Sequence, residues 1–245
     1  MTAAAQAPGA RSGKPAPTSS IASPVALPAD AQRQLAAYLD LLVKWNRTYN
    51  LTAIRERADM VTHHLNDALA ILPHLPGAKA LRVLDVGTGA GVPGIPLAIA
   101  RPGWRVVLLD SNQKKVAFLT QATIELGLAN VTTVAARVEN YAPDALFDVI
   151  VSRAYSDLAS FLRGAQHLLA PGGILAAMKG AYPRDEIALL PAGVTIVAAP
   201  ALDVPGLAAR RHLIVMRATA SQAPANAAVS ATTSAPAHTP TEPRR

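Results

Sequence analysis

Three observations predict an α/β fold with a mostly parallel sheet. Short apolar segments alternate with helical periods from Leu81 to Lys179, the first of these segments runs into a glycine-rich turn, and two closing apolar segments have no convincing helix between them. Repeated strand–helix units pair in parallel through right-handed crossovers, whereas a segment that returns without a helix pairs antiparallel.

Residues 1–29 are rich in Ala, Pro, Ser and Gly and carry Arg11 and Lys14 but no continuous apolar run, so a disordered tail without a secretion signal is expected. Asp30 is placed to cap a helix whose apolar positions Leu35, Tyr38, Leu39 and Leu42 recur at helical spacing, ending near Trp45 and Asn46. A second helix is expected from Ala58 to Leu72, stopped by Pro73, so that residues 30–76 form an N-terminal helical cap. The domain proper, 77–217, begins with a strand over Leu81–Asp85, then the glycine turn and a helix from Ile95 to Ala100. A second strand spans Trp104–Asp110, and a helix from Gln113 to Leu126 sets Val116, Leu119, Thr123 and Leu126 on one face and stops at Gly127. Strands follow at Val131–Ala135 and Phe147–Ser152, then a helix at Asp157–Leu169 punctuated by Pro171-Gly172-Gly173, and a strand at Ile174–Lys179. Val194–Ala199 and His212–Arg217 close the sheet as an antiparallel pair. From 218 to 245 the Ala/Thr/Ser/Pro composition has no hydrophobic period to bury and reads as a second disordered tail.

The 245 residues, 51% of them hydrophobic, suffice for one α/β domain with a buried core. The absence of cysteine excludes disulfides and thiolate zinc sites, and the six histidines form no spaced metal motif. No stretch reads as a membrane span, and a cysteine-free chain fits a reducing cytoplasm, where the protein is expected. The formal charge of +7 stays positive when Arg11, Lys14, Arg244 and Arg245 are set aside, which favours a polyanionic partner.

A strand leading into Gly87, Gly89 and Gly91 lets the backbone approach a nucleotide-like ligand that any Cβ would push away. The run Gly89-Ala90-Gly91-Val92-Pro93-Gly94 also fits the dinucleotide fingerprint, so a dehydrogenase remains a rival on the glycines alone. Asp85, two residues before the first glycine, would repel a pyrophosphate but attract the ammonium group of a methionine moiety. Asp110 ends the next strand, where an acidic residue grips ribose hydroxyls, and Glu139 follows the third, beside the adenine region. Ligands of such sheets bind at the carboxyl ends of the strands, so the three carboxylates converge on one crevice of a Rossmann-like domain. S-adenosylmethionine is the cofactor this chemistry favours, and the antiparallel ending suits methyltransferases better than dehydrogenases.

More specific runs occur in order: Trp45-Asn46-Arg47-Thr48-Tyr49-Asn50-Leu51-Thr52; His63-His64 with Asp67; Asp85 to Pro96, reading DVGTGAGVPGIP; Leu109-Asp110-Ser111 with Lys114-Lys115 and Phe118-Leu119; Ser152-Arg153-Ala154; and Lys179-Gly180. From about Leu35 to Arg217 the chain closely resembles the RsmG (GidB) family of bacterial 16S ribosomal RNA guanine-N7 methyltransferases. The resemblance implies a class I S-adenosylmethionine-dependent methyltransferase fold, with cofactor contacts on Gly87, Val92, Val138, Glu139 and Arg153, to which the carboxylate argument adds Asp85 and Asp110. It implies 16S rRNA or the small ribosomal subunit as partner; no metal and no membrane are expected, and a monomer is. His63, where the family often has Arg, and Ala68, where Ser usually follows the aspartate, depart from its pattern.

Guanine N7 has an in-plane lone pair and no hydrogen, so no general base is required, and holding N7 in line with the methyl group is the main task. Val151-Ser152-Arg153-Ala154 stands where enzymes acting on exocyclic amines carry an Asp/Asn-Pro-Pro-Tyr motif, and no cysteine is present for a covalent route. Arg153 ranks first for catalysis through a contact to the cofactor or to guanine O6, with an ion pair to Asp148 or Asp157 as the alternative. Lys114 and Lys115 at a helix start oppose the helix dipole and suggest nearby phosphate, with a solvated turn as the alternative. Lys179 ends the fifth strand at the same crevice and reads as an RNA contact. Asn46 and Asn50 read as turn-closing residues, with a place facing the RNA as the alternative, and His64 with Asp67 as a hydrogen-bonded pair. A non-catalytic RNA-binding scaffold is the remaining rival, opposed by the intact carboxylates and glycines.

Overall fold

The computed structural model describes residues 21–153 and 155–218; most of the two expected tails (1–20 and 219–245) and Ala154 of the Ser152-Arg153-Ala154 run lie outside them. Helix α1 (Ala29–Tyr49) leads into a short helical run made of α2 (Arg57–Met60), a π-helical stretch (Val61–Asn66) and α3 (Asp67–Leu69). Strands β1 (Arg82–Val86), β2 (Arg105–Asp110), β3 (Val131–Ala135), β4 (Phe147–Arg153), β5 (Leu169–Lys179), β6 (Val194–Ala198) and β7 (His212–Ala218) form one sheet in the order β3-β2-β1-β4-β5-β7-β6. The first five strands run parallel, and β7 is antiparallel to both β5 and β6. This is the mostly parallel sheet with an antiparallel ending that the segment pattern predicts.

The central strands read as near-continuous apolar runs because both faces are covered. With a period of two along each strand, Val83, Val106, Leu108, Val149 and Val151 pack in one cluster with α1, α4 (Gly94–Ala100) and α5 (Gln113–Glu125). Leu84, Val107, Leu109, Ile150 and Leu175 face the other way, onto Leu158, Phe161 and Leu162 of α6 (Leu158–Ala165).

Several boundaries differ from the sequence reading for local reasons. Asp30 does not cap α1: Pro28 holds that position, and Asp30 sits in the first turn, where it pairs with Arg33. The helix continues past Asn46 to Tyr49, and Asn50 ends it in the left-handed conformation (φ 50°), which Asn tolerates through local hydrogen bonds. Asn46 accepts from Thr52 N (2.9 Å) and donates to Ile54 O (3.1 Å), while Asn50 accepts from Arg55 (2.8 Å), so both close the turn. The second helix forms, but Val61–Asn66 winds with a π-helical period and Pro73 falls inside a short 3₁₀ turn (Leu72–His74). On α5 the buried residues are Phe118, Leu119 and Ala122, with Val116 and Thr123 at the margin.

Pro171-Gly172-Gly173 does not precede β5 but lies within it, at a register shift between the Phe147–Leu169 and Val149–Ile174 pairs. A Cβ on Gly173 would stand 3.0 Å from Phe147 O, so glycine permits the strands to approach there. A short helix not foreseen, α7 (Arg184–Ala188), follows β5 with no buried residue, and only a 3₁₀ turn (Val138–Asn140) stands between β3 and β4.

Candidate active site

The carboxyl ends of β1, β2 and β3 open onto a cavity of about 170 Å³ lined by Gly87, Asp110, Val138 and Glu139, together with Arg137 and Tyr155. Four of the expected cofactor residues thus meet on one wall. Gly87 has φ +67° and a Cβ built there meets nothing within 4 Å, so its open side is available to a ligand. Gly94 serves the opposite purpose: a Cβ there would collide with Leu108 and with the Asp85 carboxylate.

Asp85 and Val92 lie beneath the loop rather than on the cavity wall. Asp85 is fully buried, and its Oδ2 accepts from Thr88 Oγ1 (2.6 Å) and Gly94 N (2.7 Å), which fixes the glycine turn. Its Oδ1 is buried with no hydrogen-bond partner among the described residues. Burial is the largest influence on this carboxyl and raises its pKa to about 6, against the opposing hydrogen bonds from Thr88 and Gly94. An orphaned carboxylate oxygen under the loop fits a cofactor that brings an ammonium group, since such a partner would satisfy it.

Asp110 organises the same loop from β2. Its Oδ2 accepts from Gly89 N (2.9 Å), its Oδ1 accepts from Asn112 N (2.9 Å), and Lys115 Nζ stands 3.9 Å away. A carboxylate has about four acceptor positions, so room remains for ribose hydroxyls. Sequence reasoning missed Tyr38, a fully buried member of the apolar face of α1 whose hydroxyl donates to Ala90 O (2.6 Å) in the loop. Burial pushes that phenol far above its ordinary pKa, keeping it a donor. The available signal was a phenol among aliphatic neighbours, since a buried Tyr hydroxyl requires a partner.

Arg153 is not paired with Asp148 or Asp157. Asp148 accepts from Arg82 N (2.8 Å) and Asp157 caps α6 by accepting from Ser160 N (2.7 Å). Arg153 Nη1 instead donates to His63 O (2.9 Å) and stands 3.6 Å from Asp67 Oδ2 and 3.4 Å from His64 Nδ1. Its Nε and Nη2 make no hydrogen bond among the described residues. The expected His64–Asp67 bond is absent: His64 Nε2 meets Thr52 Oγ1 (3.0 Å), and Asp67 takes Arg211 Nε (3.1 Å), a partner the sequence did not reveal. Burial, then Arg153, pushes the His64 imidazole down to about 4, while burial holds Asp67 above the usual carboxylate range despite its two guanidiniums.

The expected RNA-contacting lysines divide. Lys114 is exposed, and Asn112 caps the helix by accepting from Lys114 N (3.0 Å) and Lys115 N (3.4 Å). The ammonium of Lys115 is turned toward Asp110, so its unfavourable place at a helix start is offset inside the protein. Lys179 is 12% exposed and held by Glu186 (2.8 Å) and Tyr155 O (3.4 Å); it ties α7 to the end of β5 and presents no free ammonium. Among the described residues no group of three or more His, Cys, Asp or Glu side chains is arranged to hold a metal, and no helix is long and apolar enough to cross a membrane.

Residues 31–214 match the GidB family, described as rRNA small subunit methyltransferase G. A ribosomal RNA small subunit methyltransferase G from Aromatoleum aromaticum is 55% identical over 189 residues, covering 76% of this chain and 89% of that protein. The protein of the same name from Chromobacterium violaceum is 56% identical over 182 residues, covering 74% and 86%. Among solved structures, a SAM dependent methyltransferase from Aquifex aeolicus superposes with a TM-score of 0.51 at 22% identity, over 62% of this chain and 90% of that one. That likeness speaks to the fold.

Proposed function

The chain belongs to the GidB family of rRNA small subunit methyltransferase G proteins, and from that membership we propose that it transfers a methyl group from S-adenosylmethionine to N7 of a guanine in 16S rRNA. It is an S-adenosylmethionine-dependent rRNA methyltransferase, working as a monomer in the cytoplasm on the RNA of the small subunit.

The observation that supports the cofactor assignment most directly is the unpartnered Asp85 Oδ1 beneath the Gly87 loop, beside a cavity bordered by Asp110 and Glu139. When bound, the cofactor supplies a methyl group on a positively charged sulfur. The chain's residues hold and orient. Asp85 takes the amino group, Gly87 and Val92 shape the loop, Asp110 accepts from the ribose, and Val138 and Glu139 border the adenine. Arg153 is anchored through Nη1 and keeps Nε and Nη2 as donors for the cofactor or for guanine O6. Lys114 is the remaining solvent-facing lysine of the set and is assigned to RNA phosphate. A neutral N7 nucleophile needs no proton acceptor, which agrees with a site whose buried carboxylate is spent on the loop and the cofactor.

The test is transfer of tritium from labelled S-adenosylmethionine to 16S rRNA, with borohydride and aniline cleavage locating N7-methylguanine. Transfer that maps to one guanine and disappears in Gly87→Asp supports the proposal. Label at another atom overturns the N7 assignment, transfer unaffected by Gly87→Asp overturns the loop as cofactor site, and binding of NADH in place of S-adenosylmethionine overturns the cofactor.

A further inference from the structure

At the other end of the sheet, a depression of about 430 Å³ lies over the amino ends of β1, β2 and β3, with Arg82, Arg105, Thr132, Tyr141 and Asp144 among its lining. It exists because the β3–β4 crossover carries only the 3₁₀ turn Val138–Asn140, so no α-helix covers this part of the sheet face. Four residue steps along β1 separate Arg82 from Val86 at the cofactor end, about 13 Å of strand. The depression is therefore distinct from the methyl-transfer cleft, and none of its residues lines the cofactor cavity.

Arg82 and Arg105 are register partners on adjacent parallel strands. Neighbouring positions across such a pair lie about 4.8 Å apart on one face, and like charges placed side by side in this way are destabilising. Neither guanidinium is ion-paired among the described residues. Arg82 reaches carbonyl oxygens of Leu146 (3.2 Å) and Ala145 (3.1 Å) and lies over the Phe147 ring, which fixes its guanidinium but leaves its charge unanswered. The Arg105 side chain is exposed and makes no hydrogen bond among the described residues; only its backbone N is engaged, donating to Leu81 O (2.8 Å). Asp144 is the sole carboxylate of the lining and stands outside ion-pair distance of both.

Two adjacent, unneutralised guanidiniums in a roomy polar depression are complementary to a phosphate, which guanidinium forks bind in bidentate fashion. We propose that Arg82 and Arg105 form a second RNA-docking site that takes a backbone phosphodiester of the substrate rRNA, remote from the guanine that is methylated. The inference rests on the rRNA-substrate reading above. It assigns the site to positioning the substrate, with no part in the cofactor chemistry. Arg82 is the pre-oriented half; Arg105 supplies the mobile charge.

The experiment measures equilibrium binding of the full-length protein to 16S rRNA across a salt series, for wild type, Arg105→Ala and Arg105→Lys. Losing one phosphate contact lowers the magnitude of the log–log salt slope by about 0.7–0.9 and weakens binding at low salt by about ten-fold. Arg105→Ala is expected to show both effects, with the affinity for S-adenosylmethionine unchanged and the unfolding midpoint unchanged or raised because a like-charge neighbour is gone. Arg105→Lys is expected to keep the slope. Wild-type affinity and slope in Arg105→Ala, beside normal methylation by the wild-type protein, overturn this site alone; failure of the wild-type protein to bind and methylate rRNA overturns the substrate reading and the site with it. Calorimetric binding of AMP that is lost in Arg105→Ala, with the rRNA slope intact, identifies a small-molecule phosphate site and also overturns the RNA assignment.

Discussion

Asp85 combines two demands that oppose each other. Its carboxylate is fully buried, which raises its pKa from 3.8 to about 6, yet a cofactor ammonium requires it ionised. A carboxyl that holds its proton more tightly folded than unfolded stabilises the protein fully below about pH 3.9, and that stabilisation is lost as pH rises through about 6. At neutral pH the cofactor-free protein therefore carries a buried, half-satisfied charge. Asp85→Asn keeps an acceptor for Thr88 and Gly94 and removes the charge. It is expected to match or exceed the wild-type unfolding midpoint at pH 8 by calorimetry without cofactor, to lose that advantage by pH 4, and to bind S-adenosylmethionine at least about ten-fold more weakly. A variant less stable than wild type at pH 8 that binds the cofactor normally contradicts this account. The role of Asp85 was legible in part: its place at a strand end is local, but its burial under Gly94 follows from packing against β2.

At the scale of elements, the π-helical stretch Val61–Asn66 sets the His63 carbonyl, His64 and, just beyond, Asp67 against the end of β4. Helical wheels built on a 3.6-residue period predict the helix and miss this local widening, and with it the partnership of Arg153. His64 is kept neutral by burial and by Arg153, with its pKa lowered to about 4. A histidine whose folded pKa is depressed adds stability above its unfolded value near 6.5, and that stability is lost as pH falls from there toward 4. By pH 5 the loss amounts to about 2 kcal/mol, opposite in sign to the Asp85 contribution. His64→Gln can retain a hydrogen bond to Thr52 and is expected to flatten the fall in urea-unfolding free energy between pH 7 and pH 5. A slope identical to wild type contradicts the buried neutral imidazole. The Pro171-Gly172-Gly173 run makes the same point for strands: a Pro-Gly-Gly sequence reads as a breaker, yet the pairing of Leu169 with Phe147 carries β5 through it.

For the whole molecule, one apolar cluster runs without a break from Leu35, Tyr38 and Leu39 of α1 through Met60 and Leu65 to Ile95, Leu108 and Val149 of the sheet domain. The N-terminal helices and the sheet are therefore expected to unfold together, with calorimetric and van't Hoff enthalpies in agreement. Leu39→Ala, at a position with no exposure, should cost about 2–5 kcal/mol and lower that single transition. Two separate transitions, with only the first moved by the substitution, would show that the helices are an independent unit.

The amino-acid sequence by itself determined which segments along the chain become strands, the glycine turn, and the carboxylates at or next to the ends of β1 and β2. These depend on periods of two and 3.6 residues and on turn chemistry, all set by near neighbours. Only the tertiary structure decided how charges are paired. Lys115 turns to Asp110, Lys179 to Glu186, and Arg153 to Asp67 rather than to the sequence-nearer Asp148 or Asp157, while the guanidiniums of Arg82 and Arg105 have no carboxylate within ion-pair distance among the described residues. An ion pair forms between groups that packing brings within a few ångströms, and that distance is fixed by the crossing of helices over the sheet, which no local pattern of residues records.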